Sequence, residues 1–310
     1  MKIVFMGTPD FAAGALEALI RAGHEITAVV TQPDKAKGRS DKLQAPPVKE
    51  CALKHGIPVM QPGRIKTPEA IAELKQYEAD VYIVAAFGQF LSQEIMDIPK
   101  YGSINIHASL LPRYRGASPI QHVIIDGEKE TGITIMQMDA GVDTGDMLYK
   151  KVVAIADDDT FETLHDKLMV AGGEAIVEAL ALLARGELVP EKQDDSLSCY
   201  APLIEKRMGH LDFTKDFQVL DRLIRGLTPW PSAYTSYHGK QLKIWKASPV
   251  EMTSEKECGT ILQVDKDAIL VACKGGALRV TELQLEGKKK MCTHDFLLGV
   301  KMQAGEKLGS

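Results

Sequence analysis

Residues 2–31 read KIVFMGTPDFAAGALEALIRAGHEITAVVT. An apolar run at 2–6 leads through the turn residues 7–10 into an amphipathic stretch at 11–22, and a second apolar run follows at 25–31. Nearly continuous apolar runs are typical of strands that helices cover on both faces, and Gly23 suits the C-terminal end of a helix. The stretch therefore predicts a β-α-β unit.

The same alternation continues along the first half of the chain. Further strands are predicted at 57–61 and 80–86, and helices at 47–55 and 68–77. Repeated β-α-β units predict an α/β fold with a doubly wound parallel sheet, whose ligand lies beyond the carboxyl ends of the strands. Three more strands are predicted at 103–107, 132–138 and 147–153, and a long helix at 160–185.

The sequence changes in character at about residue 190. A stretch with few apolar residues at 190–205 is interpreted as a linker between a first domain at 1–189 and a second at 206–310. After a helical stretch at 219–226, short alternating segments are predicted as strands at 233–237, 241–247, 259–264, 268–272 and 278–285. Short strands at this spacing predict a small, partly closed β-barrel.

The composition is that of an ordinary globular protein, with 45% hydrophobic and 25% charged residues among 310. No apolar run approaches the roughly 18 residues that span a bilayer, and the apolar start is too short for a signal peptide, so a cytoplasmic protein without a membrane partner is expected. The five cysteines are scattered and never form C-x-x-C, so neither a disulfide framework nor a metal site is expected.

Charge is distributed unevenly along the chain. Residues 206–310 carry 17 lysines and arginines against 12 acidic residues, or +5, so the overall charge of −5 leaves −10 on residues 1–205. This asymmetry indicates two domains with different partners.

The turn at 7–10 occupies the position where dinucleotide-binding folds carry three glycines. Only Gly7 is present, and Pro9 and Phe11 would crowd a pyrophosphate. The sequence therefore argues against a nicotinamide- or flavin-dependent dehydrogenase, and a tight strand-to-helix turn accounts for Gly7 and Pro9.

A basic loop follows the second predicted strand. It carries Lys35, Lys37, Arg39 and Lys42, with Gly38 among them. A solvated loop is the simplest interpretation. Because the loop lies at the ligand-bearing edge of the sheet, we favour a mobile arm that closes over a polyanionic substrate.

Three side chains suited to acyl transfer are expected at the same edge. Strand alternation places Asn105 and His107 on one side of the strand at 103–107, and a carboxylate is available from Asp139, Asp143 or Asp146, which follow the next strand. A lone histidine is more often structural, but an amide, an imidazole and a carboxylate together supply an oxyanion donor, a proton shuttle and an orienting charge.

The surrounding residues resemble the methionyl-tRNA formyltransferase family over the whole chain. The resemblance is carried by NIHASLLPRYRGASPIQ at 105–121, ETGITIMQMD at 130–139, GVDTGD at 141–146, FMGTPDF at 5–11, TQPD at 31–34, TPWP at 228–231, GKK at 287–289 and DFL at 295–297. It implies a Rossmann-like formyltransferase domain joined to an OB-like β-barrel, transfer from 10-formyltetrahydrofolate and no metal.

The resemblance also implies roles for individual residues. The catalytic amide, imidazole and carboxylate fall on Asn105, His107 and Asp143. Folate contacts fall on Ser109, Leu110, Leu111 and Pro112, with Phe87 and Gly88 in the exit loop of the fourth strand. Contacts with the acceptor, initiator methionyl-tRNA, are expected at Arg39, Lys35, Lys37, Lys42, Lys206, Lys288 and Lys289.

Alternatives remain at this stage. Lys288 and Lys289 are also compatible with a solubilising turn, and Trp230 and Tyr234 are interpreted as interdomain core rather than as a stacking platform. The same site could formylate a small amine, although the basic loop and basic second domain argue against it. A non-catalytic RNA-binding protein would require the Asn-His-Asp set to be accidental. A monomer is expected, because no apolar seam stands out.

Overall fold

The structure is a computed structural model that describes residues 1–36 and 43–309. The chain divides into two compact units, each assembled from three stretches of sequence. Unit 1 comprises Met1–Pro119, Glu130–Ala154 and His165–Ala201, and unit 2 comprises Ile120–Lys129, Ile155–Leu164 and Pro202–Ser310. Among the described residues, none of the helices has both the length and the hydrophobicity of a transmembrane span.

The first 185 residues alternate strands and helices. The strands are β1 (Lys2–Gly7), β2 (Glu25–Val30), β3 (Lys35–Ala36), β4 (Leu43–Gln44), β5 (Val59–Met60), β6 (Val81–Ala85), β7 (Ser103–His107), β8 (Glu130–Gln137) and β9 (Met147–Ala154). The helices are α1 (Asp10–Arg21), α2 (Pro47–Lys54), α3 (Pro68–Leu74), α4 (Gln93–Met96), α5 (Pro119–Asp126) and α6 (Phe161–Arg185).

Seven of these strands form one mixed sheet in the described part of unit 1. Their order is β5-β2-β1-β6-β7-β8-β9, and β3 pairs with β4 in a separate two-stranded sheet. The first five strands run parallel, as the β-α-β pattern predicts, whereas β8 and β9 pair antiparallel. The predicted Rossmann-like sheet is therefore confirmed in its parallel strands, and β8 and β9 extend it in the antiparallel sense. No helix connects β8 to β9, and a parallel connection needs a longer crossover than their loop provides.

Strand β1 lies inside the sheet and is buried. Residues 3–6 are fully buried, with β2 on one side and β6 on the other. Helix α1 buries a stripe of apolar residues at helical spacing, which are Phe11, Ala12, Ala15, Leu16 and Leu19. A side chain on Gly7 would lie 2.6 Å from the β-carbon of Ala12, so glycine is what lets the helix start so close to the strand.

Side-chain hydrogen bonds join the loops at the carboxyl ends of β1, β2 and β6. The carbonyl oxygen of Phe87, after β6, accepts hydrogen bonds from Thr8 Oγ1 at 3.0 Å and from Gln32 Nε2 at 3.1 Å. These contacts fix the edge of the sheet at which the sequence places a ligand.

Unit 2 is built around an antiparallel sheet. Its strands are β10 (Ala233–Tyr237), β11 (Lys240–Glu251), β12 (Ile261–Val264), β13 (Ile269–Cys273), β14 (Gly276–Leu285) and β15 (Met291–Cys292), and two helices, α7 (Phe217–Leu227) and α8 (Thr293–Gly299), accompany them. The order is β10-β11-β14-β13-β12, with β15 added beside β14. Apolar residues of α7, α8 and the strands share one buried core.

The stretch interpreted as a linker is hydrogen-bonded within unit 1 over its first part. Glu191 exchanges two backbone hydrogen bonds of 2.8 Å with Met147 at the start of β9. The backbone N–H of Arg115 likewise donates to the carbonyl of Cys199 at 2.9 Å, and the backbone carbonyl of Arg115 accepts from Ala201 N at 2.7 Å. Residues 190–201 therefore belong to unit 1, where they are hydrogen-bonded to the start of β9 and to the loop that follows β7.

Candidate active site

Strand β7 places Asn105 and His107 at the carboxyl edge of the sheet. Asn105 pairs with Val84 of β6, and His107 pairs with Thr134 of β8. Two residues apart on one strand, they share a face of the sheet. His107 is 6% exposed and Asn105 is half-buried. The strand therefore presents an amide and a sheltered imidazole side by side.

The ring of His107 has an oxygen near each nitrogen. Its Nε2 lies 2.9 Å from the carbonyl oxygen of Tyr114, and its Nδ1 lies 3.6 Å from Oδ2 of Asp143. A carbonyl only accepts, so Nε2 must be the donor in the first contact. Nδ1 is therefore the nitrogen that faces the carboxylate, and Tyr114 rather than Asp143 supplies the hydrogen bond that orients the ring.

Asp143 is held through both its side chain and its backbone. Its φ of +53° lies in the left-handed region, which aspartate adopts more easily than most residues. Oδ2 accepts a hydrogen bond of 2.8 Å from Gly116 N, and the backbone oxygen accepts one of 2.8 Å from Gln193 Nε2. The carboxylate thus reaches His107 from a fixed turn.

Gln193 is a residue of this site that sequence reasoning missed. Its amide also donates to the carbonyl of Gly145 at 2.8 Å, while its Oε1 accepts from Arg115 Nε and Nη2 at 3.0 and 2.8 Å. Arg115 is 3% exposed, and its Nη2 also donates to Asp195 at 2.7 Å, so its charge is buried with partners. No local pattern marks Gln193, because it lies in the stretch interpreted as a linker.

The loop after β7 is fixed by buried hydroxyl groups. Thr134 Oγ1 donates to the carbonyl of Ser109 at 2.7 Å and accepts from Leu111 N at 3.0 Å. Ser109 Oγ donates back to the carbonyl of Arg113 at 2.7 Å. Gly116 has a φ of +110°, and a side chain there would lie 2.9 Å from the carbonyl of Ala201.

The residues expected to bind folate differ in their accessibility. Ser109, Leu111 and Phe87 are buried, whereas Leu110 and Pro112 are half-buried and Gly88 is exposed. Leu110 and Pro112 can offer apolar side-chain surface to a flat ring, and Gly88 can offer its backbone. Ser109, Leu111 and Phe87 shape the loops that carry them.

The basic loop is described only at its two ends. Lys35 is exposed on β3, whereas Lys37, Arg39 and Lys42 lie outside the described residues. Just before β3, Asp34 is bound by Gln61 Nε2 at 2.7 Å and by Lys49 Nζ at 2.8 and 2.9 Å. These hydrogen bonds, from Gln61 and then Lys49, hold the pKa of Asp34 below its usual value. The carboxylate therefore anchors the start of the loop.

Unit 2 holds an aromatic side chain among its lysines that sequence reasoning also missed. The half-buried ring of Trp245 lies 5.7 Å from Lys243 Nζ and 5.0 Å from Lys290 Nζ. The three basic candidates of this unit, Lys206, Lys288 and Lys289, are all exposed.

One glutamine joins this tryptophan to the lysine-rich turn. Trp245 Nε1 donates to Gln284 Oε1 at 3.2 Å, and Gln284 Nε2 donates to the carbonyl of Lys288 at 2.8 Å. The turn and the indole thus form one surface. Trp230, expected in the core, is instead 53% exposed, so that interpretation is wrong.

Comparison with known proteins finds a family for both halves of the chain. The family model described as "Formyl transferase" matches residues 1–180, and "Formyl transferase, C-terminal domain" matches residues 203–301. The methionyl-tRNA formyltransferase of Geobacter metallireducens is 51% identical over 309 residues, which cover 100% of this chain and 99% of that protein. The methionyl-tRNA formyltransferase of Caldanaerobacter subterraneus subsp. tengcongensis is 51% identical over 306 residues, covering 98% and 99%.

Solved structures share the fold at lower identity. HypX from Aquifex aeolicus in complex with tetrahydrofolic acid matches with a TM-score of 0.64 and 18% identity over 100% of this chain, which spans 50% of HypX. An N-formyltransferase from Helicobacter canadensis in complex with folinic acid and dTDP-3-aminofucose matches with a TM-score of 0.66 and 21% identity, covering 90% of this chain and 98% of that chain. With about half its residues identical to full-length curated relatives, the chain belongs to the methionyl-tRNA formyltransferase family.

Proposed function

We propose that this chain transfers the formyl group of 10-formyltetrahydrofolate to the α-amino group of initiator methionyl-tRNA, with Asn105, His107 and Asp143 as its catalytic residues. The observation that carries the proposal is the sheltered imidazole of His107, oriented by the Tyr114 carbonyl and facing the Asp143 carboxylate at the end of β7. Relatives with about half of their residues identical bear the name of this activity.

The chemistry begins when the neutral amine of the methionyl group attacks the formyl carbon. A carbon–nitrogen bond forms, and the carbonyl electrons move onto oxygen to give a tetrahedral intermediate. The side-chain amide of Asn105 donates a hydrogen bond to that oxygen. Donors placed in advance for a developing oxyanion are worth about 3–4 kcal/mol each in comparable sites.

A proton must then move from the attacking amine to the folate nitrogen that leaves. Because Nε2 of His107 donates to Tyr114, we assign the transfer to Nδ1 and an intervening water, with Asp143 stabilising the charged ring. Such general acid–base catalysis contributes typically 10²–10⁴-fold. The carbon–nitrogen bond to the folate breaks as the proton arrives, and formylated aminoacyl-tRNA and tetrahydrofolate result.

We assign folate binding to Ser109, Leu110, Leu111 and Pro112, together with Phe87 and Gly88. The half-buried apolar side chains of Leu110 and Pro112 suit one face of a pterin ring. The hydroxyl network of Thr134 keeps their loop in one conformation before substrate arrives. Preorganisation of this kind lowers the entropy lost on binding.

We assign tRNA binding to two groups of basic residues. The loop contributes Lys35, Lys37, Arg39 and Lys42, and unit 2 contributes Lys206, Lys288 and Lys289. Lys243, Lys290 and Trp245 extend the second group, since a tryptophan flanked by lysines offers both charge and a stacking surface to RNA. We further propose that the enzyme acts as a monomer in the cytoplasm.

The decisive experiment measures formyl transfer by the purified full-length chain from 10-formyltetrahydrofolate to three acceptors in parallel. Methionyl-tRNA should be formylated, whereas free methionine and an amino-sugar nucleotide should not. Comparable transfer to either small amine would reassign the acceptor. Absence of transfer to every acceptor would favour a binding protein that has kept the scaffold without the chemistry.

A further inference from the structure

Three side chains capable of binding a metal ion meet between the first two helices of unit 1. Cys51 lies on α2, His55 follows four residues later at the end of that helix, and Glu17 lies on α1. Cys51 Sγ lies 3.3 Å from Glu17 Oε2, and His55 Nε2 lies 3.0 Å from the same oxygen. The three ligand atoms all lie within 4.8 Å of one another.

These separations are close to those of a tetrahedral zinc site. Zn–S, Zn–N and Zn–O bonds of about 2.3, 2.0 and 2.1 Å require ligand atoms about 3.4–3.6 Å apart. The distances from Glu17 Oε2 to Cys51 Sγ and to His55 Nε2 are shorter than those values by only a few tenths of an ångström. Small rotations of the three side chains would open the required space.

We propose that Glu17, Cys51 and His55 form a Zn²⁺ site that fastens α2 to α1, a role separate from formyl transfer. A thiolate, an imidazole and a carboxylate together favour zinc over the hard cations Mg²⁺ and Ca²⁺. Water completes the fourth position, since Cys51 and Glu17 are half-buried and His55 is exposed. Binding replaces the thiol proton of Cys51 with the metal and releases that proton to solvent.

Without metal, the same residues form a hydrogen-bonded cluster. Burial, and then the neighbouring Glu17 carboxylate, raise the pKa of Cys51 to about 12, so the thiol stays protonated and donates to Glu17. The positive charge of Lys54, at the end of α2, acts on both Glu17 and Cys51 and favours their ionised forms. The metal-free arrangement thus already holds the ligands together.

Cobalt substitution tests the proposal on the full-length protein. After treatment with a chelator, the chain is titrated with Co²⁺, and the thiolate-to-cobalt absorption band in the near ultraviolet is recorded. We expect one Co²⁺ per chain, a band abolished in Cys51→Ser and strongly weakened in His55→Gln and Glu17→Gln, and displacement of Co²⁺ by Zn²⁺. Cys292→Ser, at an exposed cysteine in unit 2, is the matched control and should keep the band.

Thermal unfolding provides a second measurement. Zn²⁺ should raise the Tm of the wild-type chain and of Cys292→Ser, and should leave the Tm of His55→Gln unchanged. His55 is exposed, so this variant is expected to fold even where a substitution at Cys51 does not. Absence of the cobalt band in the wild type, or its persistence in Cys51→Ser, would overturn the proposal and leave a purely hydrogen-bonded cluster.

Discussion

The two ring nitrogens of His107 have different partners, so the role of the Asp143 carboxylate can be tested by itself. Asp143→Asn keeps an oxygen that can accept from Gly116 N but removes the charge that faces Nδ1. We expect Asp143→Asn and His107→Ala to lower kcat by roughly 10²–10⁴-fold with little change in KM for folate. Steady-state formylation of methionyl-tRNA and urea unfolding would measure both effects.

A control for these variants is His294→Asn, which changes an imidazole in unit 2. It should leave turnover unaffected. Near wild-type turnover in either His107→Ala or Asp143→Asn would remove those residues from the mechanism.

Gln193 allows the support of the site to be separated from its chemistry. Gln193→Glu keeps an acceptor for Arg115 but replaces the donor to the Asp143 and Gly145 carbonyls with a repelling oxygen. We expect kcat to fall and the free energy of unfolding to drop by about 1–3 kcal/mol. Activity and urea unfolding would be compared with those of Gln76→Glu, the same change at an exposed position. In that control, neither kcat nor the free energy of unfolding should change.

The sequence predicts the residues of the site on β7 better than those that support them. Strand alternation is a local signal, and it suffices to put Asn105 and His107 on one face. Gln193 reaches partners 48 and 50 positions away, a relation that no periodicity can reveal. The approach of Tyr114 to the imidazole depends likewise on the loop after the strand, where φ at Tyr114 is +61°.

At the scale of elements, the turn from β1 to α1 leaves no room for a side chain on its glycine. A β-carbon on Gly7 would lie 2.6 Å from the Ala12 side chain and 2.9 Å from the Ala85 carbonyl. We expect Gly7→Ala to lower the free energy of unfolding by about 1–3 kcal/mol, because backbone rather than a flexible side chain must move. Gly63→Ala, where a β-carbon meets nothing within 4 Å, is the control in the same urea titration.

Elements whose sequence is periodic were predictable, and those fixed by packing were not. β7 and β10 begin and end at the predicted residues, since turn residues bound their apolar alternation. The antiparallel direction of β8 and β9 depends on how their connections run, which alternation does not encode. The sequence analysis predicts none of α4, α5 and α8. In the four-residue α4 a single turn leaves little periodic signal, and tertiary contacts supply most of the stability of short helices.

For the whole molecule, the proposed tRNA surface predicts a dependence on salt. Removing one lysine that binds a phosphate should reduce the slope of log affinity against log salt concentration by about 1. We expect Lys288→Ala combined with Lys289→Ala to reduce that slope by up to about 2, while folate affinity stays unchanged. Filter binding of methionyl-tRNA over a salt series would measure it.

The control is Lys256→Ala, an exposed lysine elsewhere in unit 2. An equal decrease of the slope there would indicate a general effect of charge rather than local phosphate binding at the lysine-rich turn.

The segments of the two units alternate along the sequence, which composition alone does not reveal. Within unit 2, Arg222 Nε donates to the carbonyl of Ile125 at 3.2 Å, and Arg225 Nη1 donates to that of Asp159 at 2.8 Å. The buried carboxylate of Asp221 accepts a hydrogen bond of 2.8 Å from Arg225 Nε. The composition break near residue 190 lies inside unit 1, which continues to Ala201, and unit 2 also draws on 120–129 and 155–164.

The position of Gln193 in the chain has a consequence for the order of events during synthesis. Asp143 leaves the ribosome 50 residues ahead of the side chain that holds its backbone. Until Gln193 emerges, the turn that carries Asp143 lacks the two hydrogen bonds that Gln193 donates to it, although the residues of β7 emerge earlier. We therefore expect nascent chains halted before residue 193 to contain Asn105, His107 and Asp143 and yet to show no formyl transfer.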